Sequence, residues 1–194
     1  MVSGLASSSL ALLAGAALIC VSASSRGQED DLRIELPNPD GRDPVFDRSN
    51  LRKQIAIEFS TLADGKTLSL TDSAGKLRLI NFWATWCAPC VRELPSLAAL
   101  AMRYSDDKLA VIAISLDREG PDAVADFLAT LQVHGLDWFI DSSRRSGLAA
   151  DVFVLPTSVI VDAQGRELGR IVGSADWNST QAEALIDALL AETE

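Results

Sequence analysis

A pair of cysteines separated by two residues constrains this chain more than any other feature. Cys87 and Cys90 follow a strand-like run, Leu77 to Trp83, and precede a segment with helical periodicity. This order places Cys87 at the N-terminus of a helix and Cys90 one turn further along the same face. Unpaired backbone N–H groups and the helix dipole favour a negative charge there, so we expect Cys87 to ionise more readily than a free thiol.

Two thiols at this spacing suit thiol–disulfide exchange. A Cys87 thiolate attacks a disulfide, and the thiol of Cys90 resolves the mixed disulfide that forms. Zinc needs four ligands, but the chain has one further cysteine, Cys20, and one histidine, His134. Haem attachment needs histidine directly after the second cysteine, where this chain has Val91. We therefore predict no metal site and no diffusible cofactor, while copper(I) binding by the two thiolates stays open as an alternative.

The N-terminus indicates where this chemistry takes place. Residues 1–23 contain no charged side chain and include an apolar run from Leu10 to Val21. The stretch Val21-Ser22-Ala23 suits a signal peptidase, yet the whole uncharged stretch is also long enough for an uncleaved membrane anchor. We leave signal peptide and anchor open, and disfavour lipidation of Cys20 because Ile19 stands where a small residue is needed. Each alternative puts the remaining chain outside the cytoplasm.

The net charge of −10 lies outside this leader. Such a balance argues against a nucleic acid partner, which needs basic stripes, and against an anionic lipid surface. It is compatible with a partner that carries a basic patch. Residues 24–50 are dominated by charges and turn residues, which predicts a polar linker. Within it Leu32, Ile34 and Leu36 alternate and are candidates for a short strand packed on the domain.

Residues 51–194 alternate between strand and helix patterns, which predicts one α/β domain. An N-terminal β-hairpin is expected at 57–61 and 66–70, around Ala63-Asp64-Gly65. The elements expected after it are a strand at 76–83, helix 89–104, strand 109–116, helix 121–133, strand 136–140, helix 144–150, a hairpin of 158–162 and 166–172, and helix 178–191. This order predicts a thioredoxin-like sandwich, a mixed β-sheet flanked by helices.

The stretch from about Leu79 to Trp177 resembles the TlpA/ResA-like family of thiol–disulfide oxidoreductases, and most of all its TlpA members. The matching motifs are Phe82 to Cys90, Ser115 to Gly120, Leu155-Pro156-Thr157-Ser158, and Gly173 to Trp177. The resemblance implies a domain that faces the periplasm, soluble or anchored to the inner membrane, with a central helical insertion at 121–133. It also implies reduction of disulfides in proteins that mature cytochrome c or the copper centres of cytochrome oxidase, with electrons from a membrane thiol reductase.

Glu93 lies one turn beyond Cys90 on the predicted helix. Residues three apart share a helix face, so its carboxylate can approach the second thiol. The resemblance implies an active-site glutamate at this position, which accepts the proton of Cys90 and needs a pKa raised by partial burial. An exposed glutamate that merely suits the helix dipole is the alternative.

The resemblance also implies a substrate-binding surface around the cysteines. It implies a cis peptide bond before Pro156, with the backbone of Leu155, Pro156 and Thr157 pairing with the substrate as a short strand. Trp86 and Pro89 border the attacking sulfur, and Trp86 is expected to be partly exposed.

The redox direction is predicted from the two residues between the cysteines. Ala88-Pro89 lacks the histidine that strong oxidants of this fold place there to stabilise the thiolate. We therefore expect a protein-disulfide reductase, and keep a weak oxidant or isomerase as the alternative.

Overall fold

A mixed sheet of seven strands forms the centre of the fold, in the order β2-β1-β5-β4-β3-β6-β7. The structure is a computed structural model and describes residues 32–39 and 41–193. Its strands are β1 (Glu58–Thr61), β2 (Thr67–Ser69), β3 (Leu77–Trp83), β4 (Leu109–Ser115), β5 (Asp137–Ile140), β6 (Thr157–Val161) and β7 (Glu167–Val172). Its helices are α1 (Ala88–Arg103), α2 (Pro121–Thr130), α3 (Arg145–Ala149) and α4 (Thr180–Thr193).

The strand directions confirm the predicted architecture. Strands β3, β4 and β5 run parallel, whereas β6 is antiparallel to β3 and β7 is antiparallel to β6. The predicted N-terminal hairpin is β1–β2, which joins the sheet through an antiparallel pairing with β5. The predicted insertion is α2, between β4 and β5, and it ends at Thr130 rather than at residue 133.

Strand β3 occupies a central position, and all of its residues are buried. Its side chains alternate between two cores, as expected for a strand covered on both faces. Leu79 and Trp83 belong to the core that also contains residues of α1 and α4. Ile80 and Phe82 belong to the core on the opposite face, with Phe59 of β1. The carboxyl end of β3 is therefore held from both sides, and it leads directly to the two cysteines.

The segment expected to be a polar linker contributes to the packed domain from residue 32 onward. Leu36 and Phe46 are buried in the core that includes α1. Backbone bridges join Glu35 to Val45 and Asp47 to Arg170 of β7. Gly169 allows this approach, because a Cβ atom there would lie 2.3 Å from the ring of Phe46. The candidate strand around Leu36 forms only isolated bridges.

The compact unit that holds the sheet runs over Leu32–Glu194, so it starts before the predicted boundary at residue 51. The predicted leader, 1–23, and the first part of the predicted linker, 24–31, lie outside the described residues. Among the helices that the structure does describe, none has both the length and the apolar character needed to span a bilayer.

Candidate active site

The two cysteines lie where β3 passes into α1. Cys87 is the residue that precedes the first turn of α1, and Pro89 lies within that turn, where its missing N–H leaves no helical hydrogen bond unmade. Cys87 and Cys90 form a disulfide with their Cα atoms 5.3 Å apart. Cys87 is 6% exposed and Cys90 is fully buried. The first sulfur is therefore the one within reach of a partner, as expected for the attacking thiol.

Asp117, at the end of β4, fixes the loop that precedes Cys87. Its buried carboxylate accepts hydrogen bonds from the backbone N–H of Thr85 at 2.9 Å and from the Thr85 hydroxyl at 2.7 Å. The hydroxyl of Ser115 donates to the same carboxylate at 2.6 Å. A buried carboxylate with three donors is stabilised in its place. The position of Trp86 and Cys87 therefore depends on the neighbouring parallel strand.

Glu93 is buried on α1, one turn beyond Cys90, with only 3% of its surface exposed. One carboxylate oxygen accepts a hydrogen bond from the side-chain amide of Asn81 at 2.7 Å, and the other accepts from the backbone N–H of Ala175 at 3.0 Å. Burial raises the pKa of Glu93 to about 8, and the bonds from Ala175 and Asn81 oppose that rise. The expected elevated pKa is present, and the alternative of an exposed glutamate is wrong.

The hydrogen bond from Asn81 is expected to lower the pKa of Glu93. A hydrogen bond to a charged group is worth about 1.5–3 kcal/mol, and about 1.4 kcal/mol corresponds to one pH unit. The Asn81→Ala variant should therefore raise the pKa of Glu93 by about one to two pH units. The carboxyl carbon of Glu93 reports this pKa in an NMR titration of the oxidised protein, where neither cysteine of the disulfide titrates.

Ser158 supplies the matched control for that variant. The Asn81 amide also donates to the Ser158 hydroxyl, at 2.9 Å. The Ser158→Ala variant removes this second bond while the bond from Asn81 to Glu93 stays. Its Glu93 midpoint should stay within a few tenths of a pH unit of the parent value. An unchanged midpoint in the Asn81→Ala variant would contradict the assignment of Asn81.

The peptide bond between Leu155 and Pro156 is cis, as the resemblance implied. The structure brings Pro156 to the cysteine motif through two neighbouring residues. The backbone N–H of Gly173 donates to the carbonyl of Pro156 at 2.9 Å, and the hydroxyl of Ser174 donates to the carbonyl of Pro89 at 3.3 Å. The antiparallel pairing of β6 with β3 places Thr157 opposite Phe82, and this register also holds Pro156 near the cysteine motif.

The predicted substrate-binding residues differ in their exposure. Trp86 is 61% exposed, Pro89 and Leu155 are half-buried, and Pro156 and Thr157 are buried. The hydroxyl of Thr157 donates to the carbonyl of Val154 and is used within the fold. The two residues before Leu155 extend the apolar surface, since Phe153 and Val154 are 78% and 57% exposed. Their contact with a substrate stays a prediction.

Comparison with known proteins agrees with this geometry. A sequence model of the Redoxin family matches residues 44–186, which include all the site residues above. The chain belongs to the Redoxin family. It is 34% identical over 129 residues to the thiol-disulfide oxidoreductase ResA of Bacillus thuringiensis (strain Al Hakam), covering 66% of this chain and 72% of that one.

This Redoxin-family chain has further relatives of the same kind. It is 34% identical over 119 residues to the thiol:disulfide interchange protein HelX of Rhodobacter capsulatus, covering 61% of this chain and 64% of HelX. The crystal structure of StoA from Bacillus subtilis shares its fold, with a TM-score of 0.56 at 20% identity over 70% of this chain and 97% of StoA. The chain is a thiol–disulfide oxidoreductase related to ResA. The predicted family is confirmed, and the closer likeness to TlpA members stays a prediction.

Sequence reasoning missed Asn81, Asp117 and Ala175 as parts of the site. Asp117 and Ala175 each stand in a motif that carries the family resemblance, and Asn81 directly precedes one, yet their types alone give no role. Asn81 had one detectable signal, because it is one of two polar residues, with Arg78, in a strand whose other residues are apolar. A polar side chain in a doubly covered strand must find a hydrogen-bond partner, which directs attention to a buried group on the adjacent helix.

Proposed function

We propose that this oxidoreductase is exported to the periplasm and reduces disulfide bonds of partner proteins there. The observation that carries the proposal is the cysteine pair at the N-terminus of α1 with the buried carboxyl of Glu93 one turn beyond it. The resemblance of the sequence to the TlpA/ResA-like family supports the compartment. It also supports partners that mature cytochrome c or the copper centres of cytochrome oxidase.

The first step starts from the reduced enzyme. The Cys87 thiolate, favoured by the N-terminus of α1, attacks one sulfur of the partner's disulfide. A new S–S bond forms between Cys87 and the partner, and the partner's other sulfur leaves as a thiolate that takes up a proton. The exposed face of Trp86 and the backbone of Leu155-Pro156-Thr157 are the proposed contacts for the partner during this step.

The second step releases the reduced partner. The Cys90 thiol gives its proton to the Glu93 carboxylate and attacks the Cys87 sulfur, so that the remaining partner sulfur leaves as a thiolate. The pKa of Glu93, about 8, is close to the value of about 8.5 for a free thiol. A proton passes between groups of matched pKa at little cost. The enzyme ends with the Cys87–Cys90 disulfide, the state of the structure.

The oxidised enzyme must be reduced again by two electrons. The periplasm has no glutathione-type buffer that keeps thiols reduced, so these electrons need a dedicated donor. We propose a membrane thiol reductase as that donor, since the sequence resemblance implies one.

The reduction potential of the Cys87–Cys90 pair tests the proposed direction. We expect a value of about −270 mV or lower, comparable with thioredoxin, when the protein is equilibrated against defined thiol buffers. We expect this low value because no histidine stands between the cysteines. The N-terminus of the helix is then the one feature of the motif that stabilises the thiolate of the reduced form. A value near −120 mV, as in strong periplasmic oxidants, would replace the reductase by a disulfide-forming enzyme.

Copper(I) binding by the same two thiolates is the competing function. A copper carrier should hold one Cu(I) per chain against a competing chelator and should not reduce disulfides catalytically. The proposed reductase should turn over disulfides in metal-free buffer. Turnover measured after treatment with a chelator therefore separates the two functions.

A further inference from the structure

Arg144 lies against the exposed tryptophan of the site although it belongs to a different part of the chain. Its guanidinium carbon is 5.9 Å from the centre of the Trp86 ring, a cation–π distance. Its Nε donates a hydrogen bond to the carbonyl of Leu116 at 2.8 Å. Trp86 directly precedes Cys87, so the cation lies against the residue next to the attacking cysteine.

The backbone of Arg144 is held in a conformation that a residue with a side chain rarely adopts. Its φ of 60° and ψ of 15° lie in the left-handed region, just before α3. This conformation is unfavourable for every residue except glycine, although asparagine and aspartate adopt it more readily than the others. Residues held in this way cluster at ligand contacts and active sites. The backbone of Arg144 and its Nε are therefore both fixed. Together they orient the two terminal nitrogens of the guanidinium.

The terminal nitrogens of Arg144 make no hydrogen bond or ion pair within the part of the chain that the structure describes. The carboxylates of the neighbouring loops are already engaged. Asp141 accepts hydrogen bonds from Ser143 and Ser146, and Asp117 accepts three from the loop before Cys87 and from β4. The planar fork of an arginine matches a carboxylate with two parallel hydrogen bonds.

We propose that Arg144 binds a carboxylate of the partner protein, from an aspartate or glutamate close in sequence to the cystine that Cys87 attacks. This inference rests on the proposed function and names the partner's chemistry. Arg144 contacts the residue next to Cys87, and an extended chain advances about 3.3 Å per residue, so the acidic residue should lie within a few residues of the cystine. The net charge of −10 is compatible with a partner that carries a basic patch, and the preference for an acidic residue next to the cystine is a local one of opposite sign.

Three cystine-containing peptides test the proposal, identical except for Asp, Asn or Lys three residues from the cystine. The measured quantity is the second-order rate constant for reduction of each peptide by the full chain reduced beforehand, whose Cys87–Cys90 dithiol supplies the two electrons and ends as the disulfide. We expect the Asp peptide to be about two- to fivefold better than the Asn peptide, the range for a partly exposed ion pair, and the Lys peptide to be worse. The preference should decrease as salt is raised.

Variants of two adjacent arginines locate the effect. Arg144→Gln should bring the rate constants of the Asp and Asn peptides to the same value, and Arg144→Lys should keep part of the preference for Asp. Arg145→Gln is the matched control, since it removes the same charge from an exposed residue one position further along the chain. Arg145→Gln should leave the ratio unchanged.

The possible failures are distinguishable. Equal rates on the Asp and Asn peptides, or a preference that survives in Arg144→Gln, overturn the role of Arg144 and leave the proposed reductase standing. An equal loss on all three peptides in Arg144→Gln shows a purely structural residue and also overturns it. No reduction of any peptide by the parent enzyme overturns the proposed function, and this inference with it.

Discussion

The Cys90→Ser variant is expected to accumulate as a covalent mixed disulfide with its partner protein, whereas the Cys87→Ser variant forms none. Cys87 is the sulfur with exposed surface, and it lies at the N-terminus of α1, where a thiolate is stabilised. Cys90 is fully buried and can reach only Cys87. Removing Cys90 therefore leaves the first step intact and blocks the second. Non-reducing electrophoresis followed by mass spectrometry identifies the trapped cysteine.

Both variants should lose turnover, by roughly a thousandfold or more, because the two cysteines act as one unit. They should be prepared in a Cys20→Ser background, so that Cys87 and Cys90 are the remaining cysteines of the chain. The background variant alone is the control, and it should turn over disulfides as the parent does. A mixed disulfide through Cys90 in the Cys87→Ser variant would reverse the two assigned roles.

Local patterns were sufficient to predict the elements that surround the cysteines. An apolar run of strand length followed by a proline in a helical first turn specifies the junction of β3 and α1, because both signals act over a few residues. The same holds for the hairpin of β6 and β7, which turns at Asp162 to Gly165. The order of strands and helices then restricts the fold to few topologies.

Local sequence patterns could not predict contacts between residues that lie far apart in the sequence. Ala175 donates its backbone N–H to Glu93, which is 82 residues away in sequence. A backbone donor has no residue type by which it can be recognised, so nothing at Ala175 announced this role. Asp117 reads as an ordinary polar residue after a strand, and only the pairing of β4 with β3 brings it to Thr85.

The N-terminal segment shows a different reason for failure. Composition predicted a linker over 24–50 because charges and turn residues outnumber apolar ones. Residues 32–50 nevertheless pack on the domain through two buried side chains, Leu36 and Phe46, and through the backbone bridge of Asp47 to Arg170. Phe46 fills the space that Gly169 of β7 leaves by having no side chain. Neither hydrophobic periodicity nor amino-acid composition identifies two isolated core residues in a polar segment.

The Glu93→Gln variant is expected to become more stable than the parent as the pH rises. Burial raises the pKa of Glu93 from its ordinary 4.5 to about 8 in the folded protein. The stability associated with the bound proton is fully present below pH 4.5, where both states are protonated. It is lost as the pH rises towards 8, because the unfolded chain has released its proton while the folded protein still holds it.

The size of this effect follows from the interval between the two pKa values. Each pH unit within it corresponds to about 1.4 kcal/mol, so the parent should lose about 4 kcal/mol relative to Glu93→Gln between pH 5 and pH 9. The glutamine fits the site once the Asn81 amide turns over, because the Asn81 oxygen, which has no hydrogen-bond partner in the described structure, then faces the new amide and accepts from it. Urea unfolding of the oxidised protein at several pH values measures the difference.

Glu119→Gln is the matched control, since it removes the same charge from an exposed position. Its free energy of unfolding should follow that of the parent to within about 0.5 kcal/mol at every pH. Parallel curves for the parent and Glu93→Gln would mean that Glu93 ionises as an ordinary carboxyl does. In that case Glu93 would already be charged well below neutral pH, and it could not exchange a proton with Cys90 at matched pKa. The stability curves therefore test the same property of Glu93 that the resolving step requires.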